Sequence, residues 1–108
     1  MELNFQERVA LLKLLPEKED YAGMKEIRRA RETLAISGEE AKKYGEKTKE
    51  GGFNINFAKT AGVMKEVPMG EWLTEKTRDT LRVMNEKHAL EEQFVSLFEK
   101  FVANYQQY

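Results

Sequence analysis

Residues 90–105, LEEQFVSLFEKFVANY, carry the clearest hydrophobic pattern of this 108-residue chain. Successive apolar residues lie four, three, one, three, one and three positions apart, a spacing that places them on one broad face of an α-helix. The residues of this face are Leu90, Phe94, Leu97, Phe98, Phe101, Val102 and Tyr105. We predict that this helix anchors the core and that its aromatic face is wide enough for part of it to be available to another subunit.

Two helices are predicted near the other end of the sequence. The first covers residues 5–15, with Asn4 as its N-cap and Pro16 as its end, because a proline disfavours helical geometry at the residue before it. Its apolar stripe consists of Phe5, Val9, Leu12 and Leu15, widened by Leu11 and Leu14. The second covers residues 20–35, and its inward face consists of Met24, Ile27, Ala30 (or Arg31) and Leu34.

Two more helices are predicted in the middle of the chain. Ser37 and Glu40 have the spacing of a capping box, so a short helix follows and runs through Tyr44. Gly45 is expected to end it in the left-handed conformation. A longer helix covers residues 69–86, with Leu73, Thr77, Thr80, Leu81 and Met84 inward and Trp72 at its edge.

The segment between these helices predicts a β-hairpin. Residues 46–52 are polar and glycine-containing, which is typical of a loop. Phe53, Ile55 and Phe57 then alternate with asparagines, so this strand has one wet face, and residues 63–67 return as a second strand after a turn. The predicted fold class is α+β: mostly helical, with four to five helices packed around a small antiparallel β-hairpin in a single domain, residues 1–108.

Composition excludes several classes of function. The chain has no cysteine, which rules out disulfide frameworks, thiol catalysis and cysteine-based metal sites. With a formal net charge of -1, the chain lacks the positive field of a dedicated nucleic-acid binder. No apolar run approaches the roughly 20 residues that span a bilayer, and no apolar block follows Met1. We therefore expect a soluble, cytoplasmic protein without membrane contact.

No motif indicates catalysis, a cofactor or a metal. His88 is the single histidine and is expected on an exposed turn between two helices. The paired acidic residues are better explained by favourable interaction with helix dipoles than by acid–base chemistry. Gly51 and Gly52 are not followed by the Gly-Lys-Ser/Thr of a phosphate loop. We predict that the chain is not an enzyme and binds no cofactor.

Two surfaces are candidates for partner binding. The densest positive charge, Lys25, Arg28, Arg29 and Arg31, lies on the second helix. Glutamates lie within pairing distance and no aromatic residue is interleaved with the cluster, which favours a solvated face or an acidic protein partner over nucleic acid. The second candidate is the aromatic C-terminus. The predicted partner-binding residues are Lys25, Arg28, Arg29, Tyr105 and Tyr108.

Five pieces of the sequence, in this order, resemble small bacteriophage accessory proteins. They are Leu11-Leu12-Lys13-Leu14-Leu15-Pro16, residues 28–34, Ser37-Gly38-Glu39-Glu40, residues 53–57 and Leu97-Phe98-Glu99-Lys100-Phe101. The group shares a leucine-leucine-proline turn after the first helix, and its usual lysine-glutamate-glycine is Glu17-Lys18-Glu19 here. The resemblance implies a protein that binds and inhibits a host factor, such as a defence complex or a polymerase, in the host cytoplasm. An oligomeric assembly protein and a nucleic-acid-binding regulator remain alternatives.

Overall fold

The computed structural model describes residues 1–51, 53–56 and 58–103, without the side chains of Lys47 and Phe53. In chain order its elements are β1 (Glu2–Asn4), α1 (Phe5–Leu14), α2 (Tyr21–Leu34), α3 (Gly38–Tyr44), β2 (Gly45–Lys47), β3 (Phe53–Ile55), β4 (Met64–Glu66), α4 (Glu71–Glu86) and α5 (Val95–Phe98). A 3₁₀ turn, Glu92–Phe94, precedes α5, and a π-helical turn, Glu99–Ala103, follows it. We call residues 92–103 the C-terminal helical segment. The mostly helical α+β fold class is confirmed.

Two helices begin at the predicted capping residues, Asn4 and Ser37, and α2 begins after Asp20, near its predicted start. The Asn4 side chain accepts from the Glu7 amide at 2.7 Å, and the Glu7 carboxylate accepts from the Asn4 amide in return. The Asp20 side chain accepts from the Gly23 amide at 2.7 Å. Ser37 and the residue three positions on form the predicted capping box. Each side chain satisfies a backbone donor that the helix itself leaves unpaired.

The conformation at the end of α3 and the start of α4 differ from the prediction. Gly45 has φ -94°, so the expected left-handed conformation is wrong, because the chain continues from α3 straight into β2. Helix α4 begins at Glu71, two residues later than predicted. The turn after α4 places His88 at φ 55°, exposed as expected.

The core forms where the C-terminal helical segment packs against α1, α2 and α4. Phe94, Leu97 and Phe101 are buried in one cluster with apolar residues of all three helices. A second cluster, Leu15, Ile27, Ala30 and Leu73, lies between α1, α2 and α4. The predicted anchoring role of the last helix agrees with this burial, but its continuous helix from residue 90 is wrong, since the helical segment begins at Glu92 and changes geometry along its length.

The strand pairing differs from the prediction. Strand β3 pairs antiparallel with β2, and β4 pairs antiparallel with β1 at the start of the chain. The predicted hairpin between residues 53–57 and 63–67 is therefore wrong, as is the loop assigned to residues 46 and 47. Strands β2 and β3 are consecutive and form a local hairpin, whereas helix packing brings β1 and β4 together. The Val67 amide also donates to the Met1 carbonyl at 2.8 Å. Phe57 lies outside the described residues.

The inward face of α1 contains two charged residues besides its predicted apolar stripe, of which Phe5, Leu11 and Leu15 are buried. Glu7 and Arg8 are 2% and 0% exposed, whereas Val9, Leu12 and Leu14 are only half-buried. Burial of these two charged residues is stable because both are fully paired, as described below. Among the described helices, none combines the length and the apolar character needed to cross a membrane.

Candidate partner-binding face

The amphipathic pattern of α2 separates its buried side from a basic, aromatic side. Gly23, Ile27, Ala30 and Leu34 are buried. Residues on the opposite side of the helix point to solvent, because a turn of 3.6 residues places them roughly half a turn away. We call this outer surface the α2 face; Tyr21, Lys25, Arg28, Arg31 and Glu32 are its exposed residues, and together with Met24 and Ile27 they line a shallow groove.

Tyr21 is the most exposed large hydrophobic residue of the described chain, with 76% of its surface accessible. The Lys25 ammonium lies 4.7 Å from the centroid of its ring. The residue before the N-cap, Glu19, accepts from Lys76 of α4 at 2.9 Å. This ion pair ties the start of α2 to α4, so the tyrosine projects from a fixed helix terminus.

The structure groups the predicted site residues differently from the sequence. Lys25 and Arg28 lie on the α2 face as expected. Arg29 is exposed on the flank of the helix and pairs with Glu26 at 3.5 Å. Arg31 lies beside Arg28 on the α2 face, where Arg29 was expected. The other two predicted partner-binding residues, Tyr105 and Tyr108, lie outside the described residues.

The sequence interpretation missed Tyr21. It treated the basic cluster as lacking interleaved aromatic residues, which is wrong, since Tyr21 lies one turn before Lys25 and next to its ammonium. The signal was present in the sequence. Tyr21, Lys25 and Arg28 are separated by four and three positions, the spacing of one helical face.

A buried ion pair joins α1, α2 and α3 on the other side of the fold. The Arg8 guanidinium donates to both carboxylate oxygens of Glu40 at 2.7 and 3.0 Å. It also donates to the Leu34 and Ala35 carbonyls at 3.3 and 2.7 Å, which are unpaired acceptors at the end of α2. The Phe5 ring lies 4.9 Å from the guanidinium carbon. We call this group the Arg8 clamp.

The Arg8 clamp changes the acidity of Glu40. The hydrogen bonds from Arg8 lower the pKa of the Glu40 carboxyl from 4.5 to about 2, with further help from the Ser37 amide and against the opposing effect of burial. Neither the clamp nor its surroundings leave a polar atom for a ligand: within the described residues, every buried side-chain nitrogen and oxygen has a partner. The clamp therefore stabilises the fold.

A cleft of about 790 Å³ separates α1 from the C-terminal helical segment. Its walls include Val9 and Lys13 from α1, and Glu92, Val95 and Glu99 from the segment opposite. Glu7 lies at its inner edge, where its carboxylate accepts from the Lys100 ammonium at 2.7 Å. Lys13 donates to the Gln93 side chain across the cleft at 3.1 Å. We call this groove the acidic cleft.

The described residues contain no group of three or more His, Asp or Glu side chains placed to hold a metal ion. Three of the paired acidic residues in the sequence have structural roles: Asp20 caps α2, Glu19 pairs with Lys76, and Glu40 pairs with Arg8. Each is engaged with a backbone amide or a cation. None of these three is paired with a second carboxylate or with His88 in a way that general acid–base chemistry needs.

No protein-family model, curated protein or solved structure matches the chain.

Proposed function

We propose that this chain is a non-enzymatic protein-binding module whose α2 face binds an acidic surface of another protein. The observation that carries the proposal is the exposure of Lys25, Arg28 and Arg31, with Tyr21, along one groove on the surface of α2. Within the described part of the chain, none of these three cations has a carboxylate within the 4.0 Å of an ion pair. Their charges are available to a partner.

The residue types of the α2 face are those that dominate binding energy at interfaces. Arginine and tyrosine contribute most when an interface buries them and excludes water. A standard interface buries about 800 Å² of each partner, which is roughly a tenth of the 7547 Å² surface of this structure.

The resemblance to bacteriophage accessory proteins gives the proposal its biological direction. A protein of that kind acts by occupying a host factor, such as a defence complex or a polymerase, in the host cytoplasm. Inhibition would then be stoichiometric, since a binding module forms a complex and turns over no substrate.

Affinity capture from host lysate, followed by mass spectrometry, tests the proposal. The variant Arg28→Glu with Arg31→Glu should lose the captured partner, with affinity at least tenfold weaker, about 1.4 kcal/mol. Its melting temperature should stay near that of the wild type, because both arginines are exposed. The matched control is Lys59→Glu with Arg82→Glu, which makes the same charge change at exposed positions elsewhere.

Two results would count against this function. Equal loss of capture in both double variants would show a dependence on net charge alone, with no binding face on α2. Inhibition of the captured target at strongly substoichiometric amounts would indicate an enzyme.

Nucleic-acid binding is a second candidate function, favoured by one observation. The exposed Tyr21 ring lies beside Lys25 and on the same helix face as two arginines. Stacking of bases on an aromatic ring, combined with cations along the backbone, is how many proteins hold single strands. The net charge of -1 weighs against it, since the chain as a whole offers no positive field.

A further inference from the structure

We propose that this chain associates with itself head to tail, the α2 face of one copy docking in the acidic cleft of the next. The two surfaces are built on different helices, and no described residue fills either of them. The self-association uses the α2 face but does not depend on the proposed host partner.

Charge complementarity is the first argument. The acidic cleft is lined by three carboxylates, Glu7, Glu92 and Glu99, and by the Lys13 ammonium; because the Lys100 ammonium lies on the Glu7 carboxylate at 2.7 Å, the formal net charge is -1. The α2 face carries three cations and one carboxylate, a formal net of +2. A chain with a total formal charge of -1 has thus separated its charges into two opposite surfaces. Complementary potentials steer two such surfaces together and fix their register.

The spacing of the charges also fits. Glu92 and Glu99 are seven residues apart, so a helical rise of about 1.5 Å per residue separates them by roughly 10 Å. Lys25 and Arg31 are six residues apart, or roughly 9 Å along α2. Two ion pairs can therefore form at once when α2 lies along the C-terminal helical segment of another copy.

Both surfaces carry apolar groups beside their charges. Val95 on the wall of the cleft is 42% exposed, and Val9 lies opposite it on α1. On the other surface, Tyr21 is the exposed aromatic residue and Met24 is half-buried beside it. Their contact removes apolar surface from water on both copies, which adds a short-range contribution to the charge attraction.

One chain cannot make this contact within itself. Leu12 and Leu15 of α1 face α2, where Leu15 is buried against Ile27. Gln6, Val9 and Lys13 of α1 face the acidic cleft. The α2 face and the cleft thus lie on different sides of α1, with the core between them. The pairing is heterologous, and repetition of it forms a ring or an open chain.

Sedimentation velocity on complementary charge-reversal variants tests the proposal. The face variant is Arg28→Glu with Arg31→Glu, and the cleft variant is Glu92→Lys with Glu99→Lys; all four positions are exposed. Wild type in low-salt buffer at high concentration should sediment as oligomers that dissociate when salt is added, because salt screens exposed charges. Each variant alone should sediment as a monomer.

A variant that combines both reversals and a control variant make the result specific. Reversal on both surfaces in one chain should restore oligomers, since the pairs re-form with opposite signs. Glu75→Lys with Asp79→Lys on α4, a double reversal at exposed positions outside both surfaces, should associate like the wild type. Circular dichroism and melting temperature establish that each variant is folded.

A wild type that stays monomeric at low salt and high concentration would overturn the proposal. So would a doubly reversed chain that stays monomeric although it is folded. The cleft variant separates this outcome from failure of the proposed function, because it retains the α2 face and should still capture the host partner. Loss of capture by the face variant together with monomeric wild type would leave the proposed function standing and remove the self-association.

Discussion

Replacing Glu40 by glutamine removes the charge that the buried Arg8 guanidinium binds, while it keeps an oxygen acceptor in the same place. The pKa of Glu40 is lowered from 4.5 to about 2 by this contact. One pH unit corresponds to about 1.4 kcal/mol, so the gap between the two values is equivalent to at most about 3 kcal/mol of folding free energy. Since 21% of the Glu40 side chain is exposed, water screens part of the interaction and we expect about 2–3 kcal/mol.

The direction of the pH dependence follows from the sign of the pKa change. A carboxyl whose pKa is lower in the folded state stabilises the fold fully above its unfolded value and ceases to do so as the pH falls through its folded value. The contribution of Glu40 is therefore complete above about pH 5 and disappears between there and about pH 2. This loss is a substantial share of the about 5–15 kcal/mol that stabilises a domain.

Urea denaturation of wild type and Glu40→Gln at a series of pH values measures the effect. The difference in unfolding free energy should be about 2–3 kcal/mol at neutral pH and should shrink towards zero as the pH approaches 2. Other carboxyls titrate equally in both proteins and cancel in the difference. Glu39→Gln is the matched control, since it removes the same charge from the same helix turn at an exposed position.

A difference between wild type and Glu40→Gln that stays constant with pH would refute the reasoning. It would mean that the Arg8 clamp contributes through its carbonyl contacts and packing, and that the ionised carboxylate adds nothing. An equal pH dependence in Glu39→Gln would assign the effect to the helix terminus and not to Arg8.

Three further predictions concern the core, metals and nucleic acids. Phe94→Ala or Phe101→Ala should lower the free energy of unfolding by about 3–5 kcal/mol, because each leaves a cavity among buried side chains. Val83→Ala, at an exposed position, is the control. Melting of the phenylalanine variants within a degree or two of wild type would contradict the core assignment. Circular dichroism should be unchanged by EDTA, and loss of helicity restored by zinc would show a structural metal. Fluorescence anisotropy with DNA and RNA oligonucleotides should show at most weak binding that falls steeply with salt, whereas a tight, sequence-dependent complex would favour the second candidate function.

The helix starts could be read from the sequence because their causes are local. Asn4 and Ser37 accept from amides three residues on, and Asp20 does the same, so neighbouring residues contain the whole interaction. The basic side of α2 follows equally from helical periodicity, since residues opposite a buried stripe must face water. The same periodicity places Tyr21 on that face, although Tyr21 was not among the predicted partner-binding residues.

The pairing of β1 with β4 and the partners of the buried charges were decided by the tertiary structure alone. Leu3 pairs with Lys65, and the Arg8 guanidinium binds the Glu40 carboxylate, contacts across 62 and 32 residues of sequence. No local pattern encodes which distant segment a strand will pair with, because the packing of the intervening helices determines which edges meet. Arg8 likewise occupies a position that helical spacing alone would assign to an apolar residue, and only its distant partners make its burial stable. The sequence thus determined where helices begin and which side of α2 faces water, whereas tertiary packing decided every interaction whose partners are far apart in the chain.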